Sequence, residues 1–242
     1  MLRLTACLIA MLLTALPARA ETATIAVAAN FTAVAEALAG RFTAETGHEL
    51  RLSFGATGAL YGQISQAAPF DVFLAADAAR PQLAVEEGHA APDSFFIYAE
   101  GRLALYGPGR DLSAGAEALT SAFSRIALAD PKAAPYGKAA IETLEALGLY
   151  DAIEPRIVWG ETISQTLQFV ETGNAEFGFV AASQVIGKAD IWLVPEALHA
   201  PIAQGAVLLK HGESNPAAIA FLEFLQSDEA VVVIEAAGYS VP

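Results

Sequence analysis

The sequence predicts an α/β fold with mainly parallel strands flanked by helices, and three observations support this prediction. Short apolar, β-branched runs alternate with longer Ala- and Leu-rich stretches of helical periodicity, which is typical of strand-helix-strand units. Of the 242 residues, 55% are hydrophobic and 17% are charged, which is enough for a sizeable core and argues against disorder. No internal repeat or flexible linker interrupts the alternation. One large domain or two small ones are expected.

Eight short apolar runs carry the predicted strands. In chain order they are 24–28, 50–54, 71–75, 102–106, 126–129, 156–159, 177–180 and 206–209. Their lengths fit strands that are buried on both faces of a parallel sheet.

Apolar residues at helical spacing predict the helices between and after these strands. Val34, Leu38 and Phe42 recur at i, i+4 and i+8 and predict a helix that ends near Gly47. The other patterns are the stripe of Ile141, Leu144 and Leu147 before Gly148, and the two terminal segments 216–226 and 228–237.

The spacing of these elements predicts two lobes. Residues 95–106 form one long extended segment that can carry the chain out of a first lobe, and residues 201–209 can carry it back. We therefore expect residues 21–100 and 203–242 to form the first lobe and residues 101–202 the second, each of ordinary domain size.

The N-terminus predicts secretion. A basic start at Arg3 precedes an apolar run over residues 4–16, and small residues flank Arg19 at a cleavage signal over residues 18–20. The run is shorter than the ~20 apolar residues that span a bilayer. We interpret residues 1–20 as a signal peptide. The remaining chain has no cysteine, so its core must hold it together without disulfides, which indicates a bacterial periplasmic protein.

The charge excludes some partners. The chain has 27 acidic and 13 basic side chains and a net charge of −14, which becomes −16 when residues 1–20 are removed. Nucleic acids and anionic membranes require clustered Lys and Arg, so neither is expected to bind. The same charge argues against an anionic ligand.

Four turns between strands and helices nevertheless share chemistry that suits an anion. They are residues 29–32, 55–61, 130–138 and 162–165. Asn30 and Thr57 are expected as helix caps, Pro135 suits a first helical position, and Thr162 with Gln165 matches a capping box. A helix start leaves unpaired N–H groups and a partial positive charge, and such turns meet at the carboxyl ends of parallel strands. Two turns from each lobe can therefore face one another across a cleft.

Enzyme motifs are absent from the sequence. Residues 55–58 match neither a dinucleotide fingerprint nor a phosphate-binding loop with a terminal Lys, and there is no nucleophile elbow. The four histidines have no metal-ligand spacing. Two other classes remain open as alternatives: a periplasmic hydrolase of anionic esters, and a scaffold or protein-interaction module.

Six segments together resemble the periplasmic molybdate-binding proteins of ABC transporters. They are 28–31 (AANF), 55–58 (GATG), 69–77 (PFDVFLAAD), 130–138 (DPKAAPYGK), 160–166 (GETISQT) and 173–180 (GNAEFGFV). The resemblance runs through the chain after residue 20, and it is specific as a set.

The resemblance implies a two-lobed periplasmic binding protein of type II topology that binds molybdate or tungstate between its lobes and delivers it to a membrane permease. It places the ligand contacts at Asn30, at Thr57, and at the backbone N–H groups of Tyr136 and Ile163. Some members add a Tyr hydroxyl where this chain has Ala181. Our hypothesis is that the Tyr136 hydroxyl replaces that contact.

The resemblance also implies that the protein is not an enzyme and needs no cofactor, because the oxyanion is cargo. No side chain is expected to ligate the metal atom directly. We expect the protein to be a monomer. Molybdate is a deprotonated dianion that only accepts hydrogen bonds, whereas phosphate keeps a proton at neutral pH and needs an acceptor. None of the four contact positions carries a carboxylate, although Glu161 and Asp77 lie nearby in sequence. These two carboxylates keep phosphate open as an alternative ligand. Sulfate is a second alternative, because it has the same charge and shape as molybdate and is only smaller.

Overall fold

The computed structural model describes residues 20–242, in which ten strands form two five-stranded sheets. The predicted signal peptide lies outside the described residues, except for Ala20. None of the helices in residues 20–242 has the length and apolarity to cross a bilayer.

The strands and helices follow one another in βα order. The strands are β1 (Thr22–Ala28), β2 (Glu49–Gly55), β3 (Val72–Leu74), β4 (Phe96–Gly101), β5 (Leu103–Tyr106), β6 (Ile126–Ala129), β7 (Ile157–Gly160), β8 (Phe177–Ala181), β9 (Ile191–Leu193) and β10 (Ile202–Leu208). The α-helices are α1 (Thr32–Thr46), α2 (Thr57–Ile64), α3 (Ala79–Glu86), α4 (Pro135–Ala146), α5 (Tyr150–Ile153), α6 (Ile163–Glu171), α7 (Pro216–Phe224) and α8 (Asp228–Ala236).

The two sheets have the same internal plan. The first has the order β2-β1-β3-β10-β4, with parallel pairing of β1 to β2 and β3, and antiparallel pairing of β10 to β3 and β4. The second has the order β7-β6-β8-β5-β9, and β5 takes the place of β10. In each sheet four strands therefore run in one direction and one runs against them. The predicted mainly parallel, two-lobed α/β fold is confirmed.

Each sheet is buried on both faces. In the first, α1, α7 and α8 pack on one face, and α2 and α3 pack on the other. In the second, α4 covers one face and α6 the other. Burial on both faces explains why central strands such as β3 and β6 have continuous apolar sequences, whereas the edge strand β2 alternates apolar and polar residues.

The chain crosses between the sheets twice. The predicted extended segment 95–106 is divided at Arg102, because β4 belongs to the first sheet and β5 to the second. The return lies between β9 and β10. The lobe boundaries at residues 100 and 203 stay a prediction.

All eight predicted strands coincide with observed ones, and the predicted helices are found as well. Val34, Leu38 and Phe42 of α1 are buried, and α1 ends at Gly47, whose φ is 75° and whose N–H donates to Thr43 O at 2.9 Å. Strand β9 is not predicted from the sequence. Its three residues at a sheet edge are too few to show a periodic pattern.

Candidate functional site

The first turn after β1 is a short 3-10 segment, Ala29–Phe31, that leads into α1. Asn30 is buried, and its side-chain nitrogen donates to Gln204 Oε1 at 2.8 Å and to the Tyr239 hydroxyl at 3.1 Å. The expectation that Asn30 caps the helix is wrong, because Phe31 occupies the N-cap position and no side chain caps α1. The Asn30 amide does not cap the helix because it bonds instead to Gln204 and Tyr239, which are distant in the sequence.

The second turn places Thr57 inside the helix instead of at its cap. Ala56 is the N-cap residue of α2, and Thr57 is its first helical residue, so the expectation of a Thr57 cap is also wrong. Thr57 is buried, and its Oγ1 accepts the backbone N–H of Ala76 at 3.0 Å. With that acceptor position occupied, the hydroxyl proton is the part of Thr57 that can donate to a ligand.

The third turn begins α4 at Pro135, as predicted for a first helical position. The backbone N–H of Tyr136 lies in the first turn, where helix geometry supplies no intrahelical acceptor. The Tyr136 hydroxyl accepts from Gln204 Nε2 at 3.4 Å. A Cβ added at Gly101 would overlap this hydroxyl. The hydroxyl thus belongs to a buried network. This arrangement argues against the hypothesis that it replaces the contact missing at Ala181, which stays a prediction.

The fourth turn has the predicted cap. Thr162 is the N-cap residue of α6, and its hydroxyl oxygen accepts from Gln165 N at 3.1 Å. Gln165 Oε1 accepts from the N–H of Glu161, so the return bond reaches one residue further than in a standard capping box. Ile163 is the first residue of α6, and its N–H is one of the unpaired donors of the first turn.

The structure brings all four predicted positions to one cavity, which we call the donor cavity. Its lining consists of Ala28, Ala29, Asn30, Gly55, Ala56, Thr57, Ala76, Ala134, Pro135, Tyr136 and Ile163. These described residues include no Lys, Arg, Asp or Glu, and the centre of a water molecule can occupy only about 10 Å³ of the cavity. Burial raises the pKa of Tyr136, the one titratable side chain in the lining, well above its usual range. The cavity therefore offers hydrogen-bond donors without formal charge.

The lobes contact each other around the donor cavity. The N–H of Gly58 donates to Ala133 O at 2.9 Å, and Arg80 Nη2 donates to Lys132 O at 2.8 Å. On another side Ser164 Oγ donates to Ala29 O at 3.2 Å. These bonds describe a closed arrangement in which the cavity is small.

The acidic residues near the turns in sequence do not line the cavity. Asp77 pairs with Arg80, and Glu161 contributes a backbone bond to Gln165. In residues 20–242, no group of three or more His, Cys, Asp or Glu could hold a metal ion.

Several buried polar residues behind the cavity are not predicted from the sequence. Tyr98 and Gln204 hydrogen-bond each other at 3.1 Å, and the Tyr239 hydroxyl donates to Asn30 O at 2.9 Å. Ser183 from the second lobe contacts the Tyr239 hydroxyl at 2.9 Å. Gln204 could have been identified from the sequence, because it is the single polar residue in an otherwise apolar strand.

Comparisons with known proteins agree with this geometry. The family model described as bacterial extracellular solute-binding protein matches residues 23–240. The molybdate-binding protein ModA of Rhodobacter capsulatus is 51% identical over 229 residues, which cover 93% of this chain and 90% of that protein.

Solved structures agree as well. The periplasmic molybdate-binding protein of Azotobacter vinelandii superposes with a TM-score of 0.87 at 36% identity, and the match covers 91% of this chain and 99% of that one. The sulfate-binding protein SubI of Mycobacterium tuberculosis superposes with a TM-score of 0.73 at 14% identity, covering 90% and 86%, which shows a shared fold. The chain therefore belongs to the bacterial extracellular solute-binding proteins and, among these, to the family of molybdate-binding proteins.

Proposed function

We propose that this protein binds molybdate, and also tungstate, in the donor cavity and delivers the oxyanion to an ABC permease. One observation carries the proposal: four helix starts, two after strands of each sheet, converge on a single buried cavity with no charged side chain. Family membership makes the chain a solute-binding protein and not an enzyme, and the hydrolase alternative falls with it. The oxyanion is cargo and not a cofactor.

The donors come from two kinds of group. The first lobe supplies the Asn30 amide and the Thr57 hydroxyl, and the second supplies the N–H groups of Tyr136 and Ile163 at the starts of α4 and α6. Hydrogen bonds to a charged group contribute roughly 1.5–3 kcal/mol each. The partial positive ends of the helices add to this attraction within their first turns. A few such bonds, less the cost of desolvation, support affinities on the order of micromolar to nanomolar.

The lining favours an anion that needs donors alone. Molybdate and tungstate carry no proton near neutral pH, whereas phosphate carries one that needs an acceptor. The cavity lining includes no carboxylate, and Asp77, the nearest candidate, is paired with Arg80. Phosphate is therefore the weaker ligand. Sulfate has the charge and shape of molybdate and differs in size, so it is the second candidate, supported by the shared fold with a sulfate-binding protein.

Secretion and partners follow from the same proposal. We propose that residues 1–20 direct the chain to the periplasm, where the remaining chain acts as a monomer. Residues 21–100 with 203–242 would move as one lobe, and residues 101–202 as the other. Closure around the anion is a shift of population toward the liganded form, which a permease can recognise.

Calorimetric titration of the chain lacking residues 1–20 tests the proposal. We expect molybdate and tungstate to bind at micromolar or lower concentration and to raise the melting temperature, since a ligand that binds the folded state stabilises it. Sulfate should bind more weakly, and phosphate more weakly still. Tighter binding of sulfate or phosphate than of molybdate would contradict the assignment.

A further inference from the structure

A buried group of polar side chains lies behind the donor cavity, and we call it the amide–tyrosine cluster. Its members are Asn30, Gln204, Tyr98, Tyr136 and Tyr239, all of which are buried. Gln204 lies in β10, at the point where the pairing of β10 with β4 shifts register. The cluster joins the first turn of the cavity to the strand that returns from the second lobe.

The Asn30 side chain presents one end to this cluster. Its nitrogen donates one proton to Gln204 Oε1 at 2.8 Å and the other to the Tyr239 hydroxyl at 3.1 Å. The remaining hydrogen-bonding atom of the amide is Oδ1, an acceptor. Asn30 lines the donor cavity, so this oxygen is what the amide offers to a ligand. An acceptor is the wrong group for an anion that only accepts hydrogen bonds.

The same heavy-atom positions permit a second arrangement. If both amides turn by half a revolution, Gln204 Nε2 donates to Asn30 Oδ1 and to the Tyr98 hydroxyl, which donates to Ala75 O at 3.1 Å. The Tyr239 hydroxyl then turns its proton from Asn30 O to Asn30 Oδ1. The Tyr136 hydroxyl then donates to Gln204 Oε1 instead of accepting from Nε2. Asn30 Nδ2 is thereby free to donate into the cavity.

We propose that Gln204 is a positioning and specificity-determining residue, whose amide orientation decides whether Asn30 offers the bound oxyanion a donor or an acceptor. The inference rests on the proposed function of the donor cavity. Gln204 can fill this role because an amide has a donor at one end and an acceptor at the other. A carboxylate at the same position accepts only, so it would hold Asn30 with its oxygen toward the ligand.

The three tyrosine hydroxyls that face Gln204 stay protonated between pH 6 and 9. Burial raises the pKa values of Tyr98, Tyr136 and Tyr239 above their usual range, so these hydroxyls stay protonated. Asp77 approaches through its backbone oxygen, which accepts from Gly205 N, while its carboxylate pairs with Arg80. A carboxyl introduced at position 204 would therefore be the titrating group in the cluster.

The test compares Gln204→Glu with wild type and with Gln226→Glu, a matched change at an exposed site outside the cavity. Affinities for molybdate and phosphate are measured by calorimetry at pH 6 and pH 9, each relative to wild type at the same pH. At pH 9, where the carboxyl is ionised, the molybdate-to-phosphate affinity ratio of Gln204→Glu should fall at least tenfold. At pH 6 the protonated carboxyl can donate to Asn30, so the ratio should return toward that of wild type. Gln226→Glu should change neither ratio.

Equal losses for both anions would indicate simple repulsion or distortion and would overturn the inference. If Gln204→Glu does not fold, Gln204→Met replaces it, and its molybdate affinity is compared with and without Asn30→Ala. A loss of about threefold to tenfold that vanishes in the Asn30→Ala background supports the role of Gln204 through Asn30, and an equal loss in both backgrounds overturns it. A wild-type protein that binds neither molybdate nor tungstate refutes the proposed function itself, whereas normal binding with an unchanged ratio refutes this inference alone.

Discussion

Two neighbouring cavities lie between the lobes, and they differ in size and in charge. In the donor cavity the centre of a water molecule can occupy about 10 Å³, and the lining has no charged side chain. In the second cavity, which we call the charged cleft, this space is about 410 Å³, and the lining includes Asp77, Arg80, Lys138 and Glu142. Size and the presence of cations would both select the charged cleft as the anion site.

The pairing of the charges leads to the opposite choice. In the charged cleft Arg80 contacts Asp77, and Lys138 Nζ lies 3.7 Å from Glu142 Oε1, so each cation already has a carboxylate partner. The donor cavity has backbone N–H groups that helix starts leave unpaired, together with the Thr57 hydroxyl, and its lining includes no carboxylate. We therefore propose the donor cavity as the ligand site because its donors are unpaired, although it is smaller than the charged cleft and has no cation. The same reasoning lets a chain with a net charge of −14 hold a dianion.

Thr57→Val should produce the largest loss of molybdate affinity. Its result tests most directly whether the donor cavity, and not the charged cleft, binds the anion. Valine removes the hydroxyl donor from the cavity and also leaves the N–H of Ala76 without its acceptor. A lost hydrogen bond to a charged group costs roughly 1.5–3 kcal/mol, or ~10- to 150-fold in molybdate affinity by calorimetry. Thr57→Ser keeps the hydroxyl and should stay within about threefold. A Thr57→Val protein with wild-type affinity would remove this donor from the site.

Ile163→Pro tests a backbone donor directly and should have the next largest effect. Proline is favoured at a first helical position, and Thr162 before it has the extended backbone that a following proline requires, with φ −134° and ψ 162°. The substitution therefore deletes the N–H while α6 can persist. We expect roughly tenfold weaker molybdate binding, with helix content checked by circular dichroism. The matched variant Ile163→Val retains the N–H and should bind almost normally.

Tyr136→Phe should alter stability more than affinity. The hydroxyl contacts Gln204 in the amide–tyrosine cluster, and the proposed ligand contact is the backbone N–H, which phenylalanine keeps. Loss of one buried hydrogen bond should lower the free energy of unfolding by about 1 kcal/mol, measured by urea denaturation, while molybdate affinity changes less than about threefold. More than tenfold weaker binding by a normally folded variant would show that the hydroxyl contacts the ligand after all.

Lys138→Met should have the smallest effect on molybdate affinity. A large effect would contradict the choice of the donor cavity over the charged cleft. Lys138 lines the charged cleft next to the donor cavity, its side chain is largely exposed, and it pairs with Glu142. Exposed ion pairs contribute about 0–1 kcal/mol, so molybdate affinity should change less than about twofold at physiological salt. Lys188→Met, at another surface ion pair, is the control. A tenfold loss in Lys138→Met alone would mean that the charged cleft takes part in anion binding.

Local sequence patterns were sufficient for much of the site. Pro135 and Thr162 mark their helix starts because proline at a first helical position and threonine at an N-cap act within a single turn. Asn30 and Thr57 were assigned as caps by the same rule, and both assignments failed. Their partners, Gln204 and Ala76, lie far away in the chain, and such competition is invisible to a local pattern.

The amino-acid pattern alone determined the alternation of strands and helices, the two lobes and the four turns at strand ends. It could do so because apolar periodicity and helix-start chemistry depend on neighbours within a few residues. Only the tertiary structure decided that the Tyr136 hydroxyl bonds to Gln204, that Gln204 bonds to Asn30, and that the carboxylate of Asp77 is paired. Each of these outcomes depends on contacts between distant segments, and only folding brings those segments together.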